Sequence, residues 1–495
     1  MEDTMLKRII LVFLAVVVLT VPLYGAEWQD NPVFIRGVEK NTVFTYYGTT
    51  FGGGDFRFKS HVLETTPYAR LIMADKDVYT HSLYAGYVYN LSAERNLGAF
   101  VSHDLAWSGT EGLYFQTYPT TGNYYVESYR DKVLDWDTRL DLVYSQKLTD
   151  RAALGAAFTF AYTDLFDKST FDTLAKSAAF RYRAYEYTLT AKRYYFAGTI
   201  GAAYKPVDSL ELDLALEAGG FFGTKGYEEH LFNYENLGER HDYDNTGGLN
   251  GFSVRTRLDG KFAPGGSITV PFLLSYTYTR GLEKYDGLGT YTPALGAPGL
   301  YGKDYRSDYY TGRFELGAGV NLSPKGDEGM EVFVWALYVY DYGAEDRFAK
   351  TDKRRVGFNY DVTDTTVARN SHTIGLTAGL DLPITDALSL SGGLSYLYTF
   401  LNPHETQDYY RNFSHVSYYG YDGTGYEQFL GANLGVSYVT GNLNTTLSAS
   451  IPIFDESDYR LDGPHTFPTL FGTDPIDYTA KRRDYSIILS ISYSF

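Results

Sequence analysis

The sequence predicts an all-β fold, a transmembrane antiparallel up-and-down β-barrel of about 16 strands, with roughly 14 to 18 compatible with the pattern. Three observations point there. Hydrophobicity alternates with period two from about residue 80 to the end, helical periodicity is nearly absent, and connections between apolar-alternating segments are short and long in turn. After the first residues no apolar run is long enough for a membrane helix, so any crossing must be made by strands.

Composition agrees. The 495 residues include 49 Tyr and 50 Gly but only 16 Pro and no Cys. Tyr suits pleated, half-wet surfaces, and Gly suits turns and crowded barrel walls. Without Cys there is no disulfide framework, thiolate metal site or cysteine nucleophile. A net charge of −17 excludes nucleic acid as a partner, because binding polyphosphate needs a basic surface.

At the N-terminus, Lys7 and Arg8 precede an apolar run over 9–21, then Pro22 and the small residues Gly25 and Ala26. This reads as a signal peptide over 1–26. Residues 27–66 form either a plug in the lumen or the first strands, and 67–495 form the barrel. Gly52, Gly53 and Gly54 lack the Lys-Ser/Thr and the helix of a phosphate loop, so they read as a flexible turn.

Within the barrel, 134–144 places Leu134, Trp136, Leu140, Leu142 and Tyr144 on one face and Asp135, Asp137, Arg139 and Asp141 on the other. The same rule separates Leu212, Leu214 and Leu216 from Glu211, Asp213 and Glu217, and Phe252, Val254 and Phe262 from Arg255, Arg257, Asp259 and Lys261. One face suits lipid, the other water. In 154–162 the second face is made small, with Gly155, Ala157, Thr159 and Ala161.

Turn residues mark short connections at 90–96, 149–151, 206–209, 264–267, 323–329, 383–386 and 441–442. Between them lie Tyr-, Asp- and Gly-rich segments read as long loops: 108–133, 164–192, 223–248, 281–308, 343–369, 401–424 and 455–481. Short turns on one rim and long loops on the other are the transmembrane-barrel pattern.

The final strand carries Tyr485, Ile487, Leu489, Ile491, Tyr493 and Phe495 on one face and mostly serine on the other. Here the chain resembles the bacterial outer-membrane barrels, whose last strand ends in Phe or Trp with apolar residues at alternate positions before it. That resemblance implies a multi-pass outer-membrane location, contact with outer-membrane lipids, and recognition of the last strand by the barrel-assembly machinery. A homotrimer stays open.

No enzyme is expected. The nine histidines are scattered, none in a metalloprotease or nucleophile-elbow setting. His103-Asp104 and His241-Asp242 are adjacent in sequence, and adjacent strand residues point to opposite faces. Asp242, Asp244 and Asn245 lack the Glu that would complete a calcium loop, so no metal and no cofactor are expected. Lys481, Arg482 and Arg483 read as a solvated charge cluster. The doublets Tyr124-Tyr125, Tyr309-Tyr310, Tyr409-Tyr410 and Tyr418-Tyr419 serve either as interfacial aromatics or as stacking platforms for sugars.

Function then rests on the lumen. The inward candidates are Asp135, Asp137, Arg139, Asp141, Glu211, Asp213, Glu217, Arg255, Arg257, Asp259, Lys261, Arg313 and Glu315. They either form a transverse field like that of the general porins, which the chain resembles in strand count, or pair with one another across the wall. The leading expectation is passive diffusion of small hydrophilic solutes. The alternatives are a plugged barrel carrying hydrophobic compounds, similar to the fatty-acid transporters, and a surface adhesin. The first alternative is motivated by 27–66 and by 331–340, whose two faces are both apolar.

Overall fold

The computed structural model describes residues 31–60, 69–118, 123–176, 180–233, 239–265, 267–292, 299–323, 329–353, 359–411, 414–462 and 476–495. The signal-peptide segment 1–26 lies outside them. Among the described residues sixteen strands follow a 3-10 helix at Pro32–Gly37. The first eight are β1 (Thr42–Ser60), β2 (Ala69–Ser92), β3 (Arg95–Tyr118), β4 (Asn123–Thr149), β5 (Ala152–Lys176), β6 (Phe180–Val207), β7 (Leu210–Asn233) and β8 (Glu239–Gly265). The remainder are β9 (Ile268–Thr292), β10 (Gly299–Leu322), β11 (Glu331–Lys353), β12 (Asn359–Thr385), β13 (Leu388–Arg411), β14 (Ser414–Thr440), β15 (Leu443–Asp462) and β16 (Ile476–Ser494).

Each strand pairs antiparallel with its chain neighbours, and β1 pairs with β16 from Thr42↔Ser494 to Ser60↔Ile476, so the sheet closes. An even strand number makes this possible, because the first and last strands of an up-and-down meander then run in opposite directions. Closure removes both edges and satisfies every ladder, which an open sheet cannot do in lipid. The seam is fastened by Thr42 Oγ1 and Ser494 Oγ at 3.0 Å, by the Phe495 amide donating to the Asn41 carbonyl at 2.9 Å, and by stacking of Phe51 on Tyr485.

The short connections are where the sequence places them. The turn between β14 and β15 uses Gly441 at φ 57°, a backbone region that favours glycine.

Beyond these turns the strands are long. At about 3.3 Å per residue a 24-residue strand such as β2 measures about 80 Å, and at the usual ~40° tilt it rises roughly 60 Å, twice the ~25–30 Å of a bilayer core. Most exposed apolar side chains follow that division, with Leu113, Leu174, Leu288, Leu300 and Phe348 standing exposed toward the far ends of their strands. Those in the half nearer the short turns include Ile374, Leu376, Leu380, Leu382 and Ile384 on β12, and Phe196, Ile200, Tyr204 and Val207 on β6.

Three expectations are corrected. The segments read as long loops are mostly strand: 164–176 continues β5, 180–192 belongs to β6, and 343–353 and 359–369 extend β11 and β12. Both faces of these extensions mix polar side chains with aromatic ones, so they lose alternation without losing their ladder. The triple glycine is also strand, not turn. Gly52, Gly53 and Gly54 sit inside β1, where Gly54 pairs with Arg482 on one side and Lys76 on the other. A Cβ at Gly52 would stand 1.9 Å from the Asp484 carboxylate, so the glycines make room for charged side chains from both neighbours. Arg482, read as solvated, is 5% exposed on the inner wall.

Candidate functional site

The inner wall is the face opposite the exposed apolar rows, and in the half nearer the short turns it holds a segment of the chain itself. Pro32 opens the 3-10 helix with its fixed φ, and the Asn31 side chain accepts from the Val33 amide at 3.1 Å. The helix ends at Gly37, residues 38–41 follow, and β1 begins at Thr42. Val33 and Ile35 have no exposure. Ile35 packs among Tyr84, Val88, Phe100 and Val143 of β2, β3 and β4, and Val33 sits against Ala153 of β5 and Ala203 of β6.

Backbone carbonyls carried into a lumen need donors. Asn96 of β3 donates to the Ile35 carbonyl at 2.7 Å and to the Val38 carbonyl at 3.1 Å, and Asn90 of β2 also donates to Val38 at 3.1 Å. Glycines open the space: a Cβ at Gly155 would stand 2.8 Å from the Pro32 carbonyl carbon, and one at Gly201 would stand 2.3 Å from Asn31 Oδ1. At the helix end Arg36 reaches β7, pairing with Glu211 and, at 3.1 Å, with Asp213. Residues 31–38 therefore bridge the inner faces of β2 to β7.

The sequence-derived lumen candidates sit on this inner face and are largely drawn into pairs. Arg139 donates to Asp141 at 2.8 Å, and Asp141, 1% exposed, also accepts from Thr159. Arg257 makes two bonds to Asp259, at 2.7 and 2.9 Å. Arg313 bridges Glu315 at 2.7 Å and Asp341 at 3.4 Å. Glu217 accepts from Tyr195 and Thr199, and Asp137 from Thr163. Asp135 and Arg255 line the same face, and Lys261 is exposed beside the β8–β9 turn. Opposite charges placed two residues apart on one strand share a face and reach each other without crossing the lumen.

Elsewhere the inner wall is less polar. On β11, Phe333, Trp335, Leu337 and the buried Val339 face inward, while Val334 is exposed outward. Gly317 and Gly319 of β10 give Trp335 its place, since a Cβ on Gly317 would stand 2.2 Å from its ring.

The histidines form no catalytic arrangement among the described residues. His103 points outward to Thr138 at 2.9 Å while Asp104 points inward, and Asp242 bonds His230 of β7 at 2.8 Å in the exposed half. No group of three metal-ligating side chains occurs among the described residues.

A closed sheet with an apolar outer belt and a polar interior is stable only across a membrane. The chain is an outer-membrane β-barrel. No protein-family model matches its sequence, and no curated protein matches it. Among solved structures the barrel is similar to the Pseudomonas putida toluene transporter TodX, at 12% identity and TM-score 0.40, covering 94% of this chain and 93% of that one. It is also similar to a Pseudomonas aeruginosa FadL homologue, at 11% identity and TM-score 0.38, covering 94% of this barrel and 93% of that chain. The Ralstonia pickettii toluene transporter TbuX matches at 11% identity and TM-score 0.37, covering 95% and 93%. At these values the likeness is one of barrel architecture, and no residue correspondence follows from it.

The sequence reading missed Asn31, Arg36, Asn96 and Gly201, and read Gly155 only as part of a small face. The signal for the first two was the short apolar run 32–35 ahead of any strand alternation. Nothing local marks Asn96 as a partner for a carbonyl sixty residues earlier.

Proposed function

We propose that this barrel is a plugged outer-membrane channel for uptake of hydrophobic compounds. The observation that carries the reading is the segment 31–38, folded inside the lumen with Val33 and Ile35 unexposed and Arg36 tied to Glu211 and Asp213. An open diffusion pore needs a clear, solvated path, whereas this wall spends its charges on one another and on the segment. The apolar inner face of β11 gives a hydrophobic solute something to contact. Passage then requires the segment to shift, and an ion pair is a reversible latch because it is replaced by water when it opens.

The second reading, passive diffusion of small hydrophilic solutes, is favoured by the inward Asp135, Asp137 and Arg255, which keep a polar strip on the wall. Asp135, Asp137, Arg139, Asp141, Glu211, Asp213, Glu217, Arg255, Arg257, Asp259, Lys261, Arg313 and Glu315 would then act as a charge filter.

Two measurements separate the readings. In planar bilayers the unmodified barrel is expected to show little steady conductance, while Arg36→Ala and Gly155→Val show large discrete steps. Cells expressing the barrel should take up a hydrophobic solute across a lipopolysaccharide-bearing outer membrane faster than cells without it. Large steady conductance of the unmodified barrel with no gain in hydrophobic uptake would sink the plugged reading and leave the hydrophilic pore.

A further inference from the structure

The half of the barrel beyond the apolar belt carries a feature that the plug and its latch do not explain. Aromatic side chains on its inner face touch in an unbroken arc from β4 to β10. Tyr129 of β4 stacks on Phe171 of β5 with centroids 6.2 Å apart, and Phe171 meets Tyr187 of β6 at 6.4 Å. Tyr187 stacks on Tyr227 of β7 at 6.1 Å, and Tyr227 reaches Tyr285 of β9 at 6.4 Å. Tyr285 then stacks on Tyr305 of β10 at 4.6 Å.

Strand geometry explains part of the arc. Tyr129↔Phe171 and Tyr285↔Tyr305 are directly opposed in register, so their rings meet as cross-strand pairs. The step from β7 to β9 skips a strand and depends on Gly247 of β8, where a Cβ would stand 2.2 Å from that of Tyr285.

We infer that this arc is a binding track for neutral, planar aromatic solutes entering from the long-loop end; the inference rests on the hydrophobic-uptake reading and names its substrate class. Two observations choose the chemistry. First, the lysines beside the middle of the arc are already matched: Lys303 pairs with Glu229 and lies 4.8 Å over the Tyr243 ring, and Lys225 pairs with Glu283 at 2.5 Å. An anionic solute gains no free counter-charge from Lys225 or Lys303. Second, the hydroxyl of Tyr227, at the centre of the arc, bonds within the wall, to Tyr185 at 3.1 Å and to Glu229 at 3.2 Å, and beside it Tyr243 donates to the Lys303 carbonyl at 3.3 Å. A sugar needs donors and acceptors around its whole rim, whereas a flat ring needs faces and edges, which the arc offers. Successive rings about one ring-width apart let a solute step from one stack to the next.

The test compares p-cresol with 4-methylcyclohexanol, which share a carbon skeleton and a hydroxyl but differ in flatness, and with maltose. Binding is read by calorimetry and saturation-transfer NMR on the full-length barrel in nanodiscs, with heat-modifiable gel mobility as the folding check. Saturable p-cresol binding is expected, with 4-methylcyclohexanol and maltose weaker by at least about fivefold. Tyr187→Leu and Tyr285→Leu should each weaken p-cresol by about five- to tenfold, while Tyr187→Phe and Tyr285→Phe stay within about twofold. Equal binding of the flat and puckered rings, tighter binding of maltose, or loss of binding in the folded Phe variants overturns the inference, and the first two need no variant. If hydrophobic uptake occurs but folded Leu variants neither bind nor transport differently, the track falls and the uptake reading stands. If p-cresol binds as expected but no hydrophobic solute is taken up, the uptake reading falls alone.

Discussion

On β7 the outward row reads Leu212, Leu214, Leu216, Ala218, Gly220 and Phe222 in the half nearer the short turns, then Thr224, Gly226, Glu228 and His230. The inward row changes far less, from Glu211, Asp213 and Glu217 to Lys225 and Glu229. The ladder to β6 and β8 runs through both halves. Backbone pairing is therefore indifferent to whether lipid or water lies outside, and only the outer side chains record the boundary. Amphipathic alternation is a signature of the membrane, not of the strand.

Charge placed on the outer face should test this division most strongly. Leu376→Arg, on the belt of β12, should lower unfolding stability in bilayers by roughly 2–4 kcal/mol. Thr246→Arg, exposed on β8 beyond the belt, should change it by less than about 0.5 kcal/mol. Urea titrations of both variants in the same lipid decide it, and equal losses would move the boundary upward.

A second contrast sets an inner pair of the membrane half against an outer pair of the protruding half. Asp141 is buried, with Arg139 and Thr159 both donating to it, so Asp141→Asn should cost roughly 1.5–3 kcal/mol in the same titration. Lys168 and Glu186 also pair at 2.7 Å, but both are more than a third exposed. Glu186→Gln should therefore cost only about 0.2–1 kcal/mol, and less as salt rises. If the exposed pair costs as much as the buried one, the protruding half is more enclosed than its side chains indicate.

The smallest effect concerns the plug. Gly155→Val lies under residues 31–38, whereas Gly247→Val lies under the aromatic arc. Hydrogen exchange read by mass spectrometry should rise over residues 31–38 in the first variant and stay unchanged there in the second, with little change in global stability for either. Equal exchange in the two variants would mean that the segment is held by Arg36 alone.

Legibility followed the same boundary. In the membrane half the strands around 134–144, 210–217 and 252–262 were readable because one face meets hydrocarbon and the other water. In the protruding half, segments such as 164–192 and 343–369 looked like loops, because Tyr, Asp and Gly on both faces erase the period-two signal. The triple glycine was misread for a related reason. Glycine in a turn and glycine beneath a neighbour's long side chain look alike in sequence, and only the register of Gly54 with Lys76 and Arg482 separates them. The inward charges were legible as a set, from alternation alone. Their partners were not, since the bond from Thr159 to Asp141 and the bridge from Arg313 to Asp341 depend on which residues the register sets opposite.

By itself the sequence determined that this chain spans a membrane with strands, that the number is about 16 and even, and which rim carries the short turns. Those properties are written in local periodicity and turn chemistry, which do not depend on distant residues. Only the tertiary structure decided that residues 31–38 lie in the lumen, that β1 closes on β16, and that rings from six strands form one arc. Each of these joins residues far apart in the chain. Their contacts are fixed by barrel closure and register, quantities that belong to the whole sheet and to no segment of it.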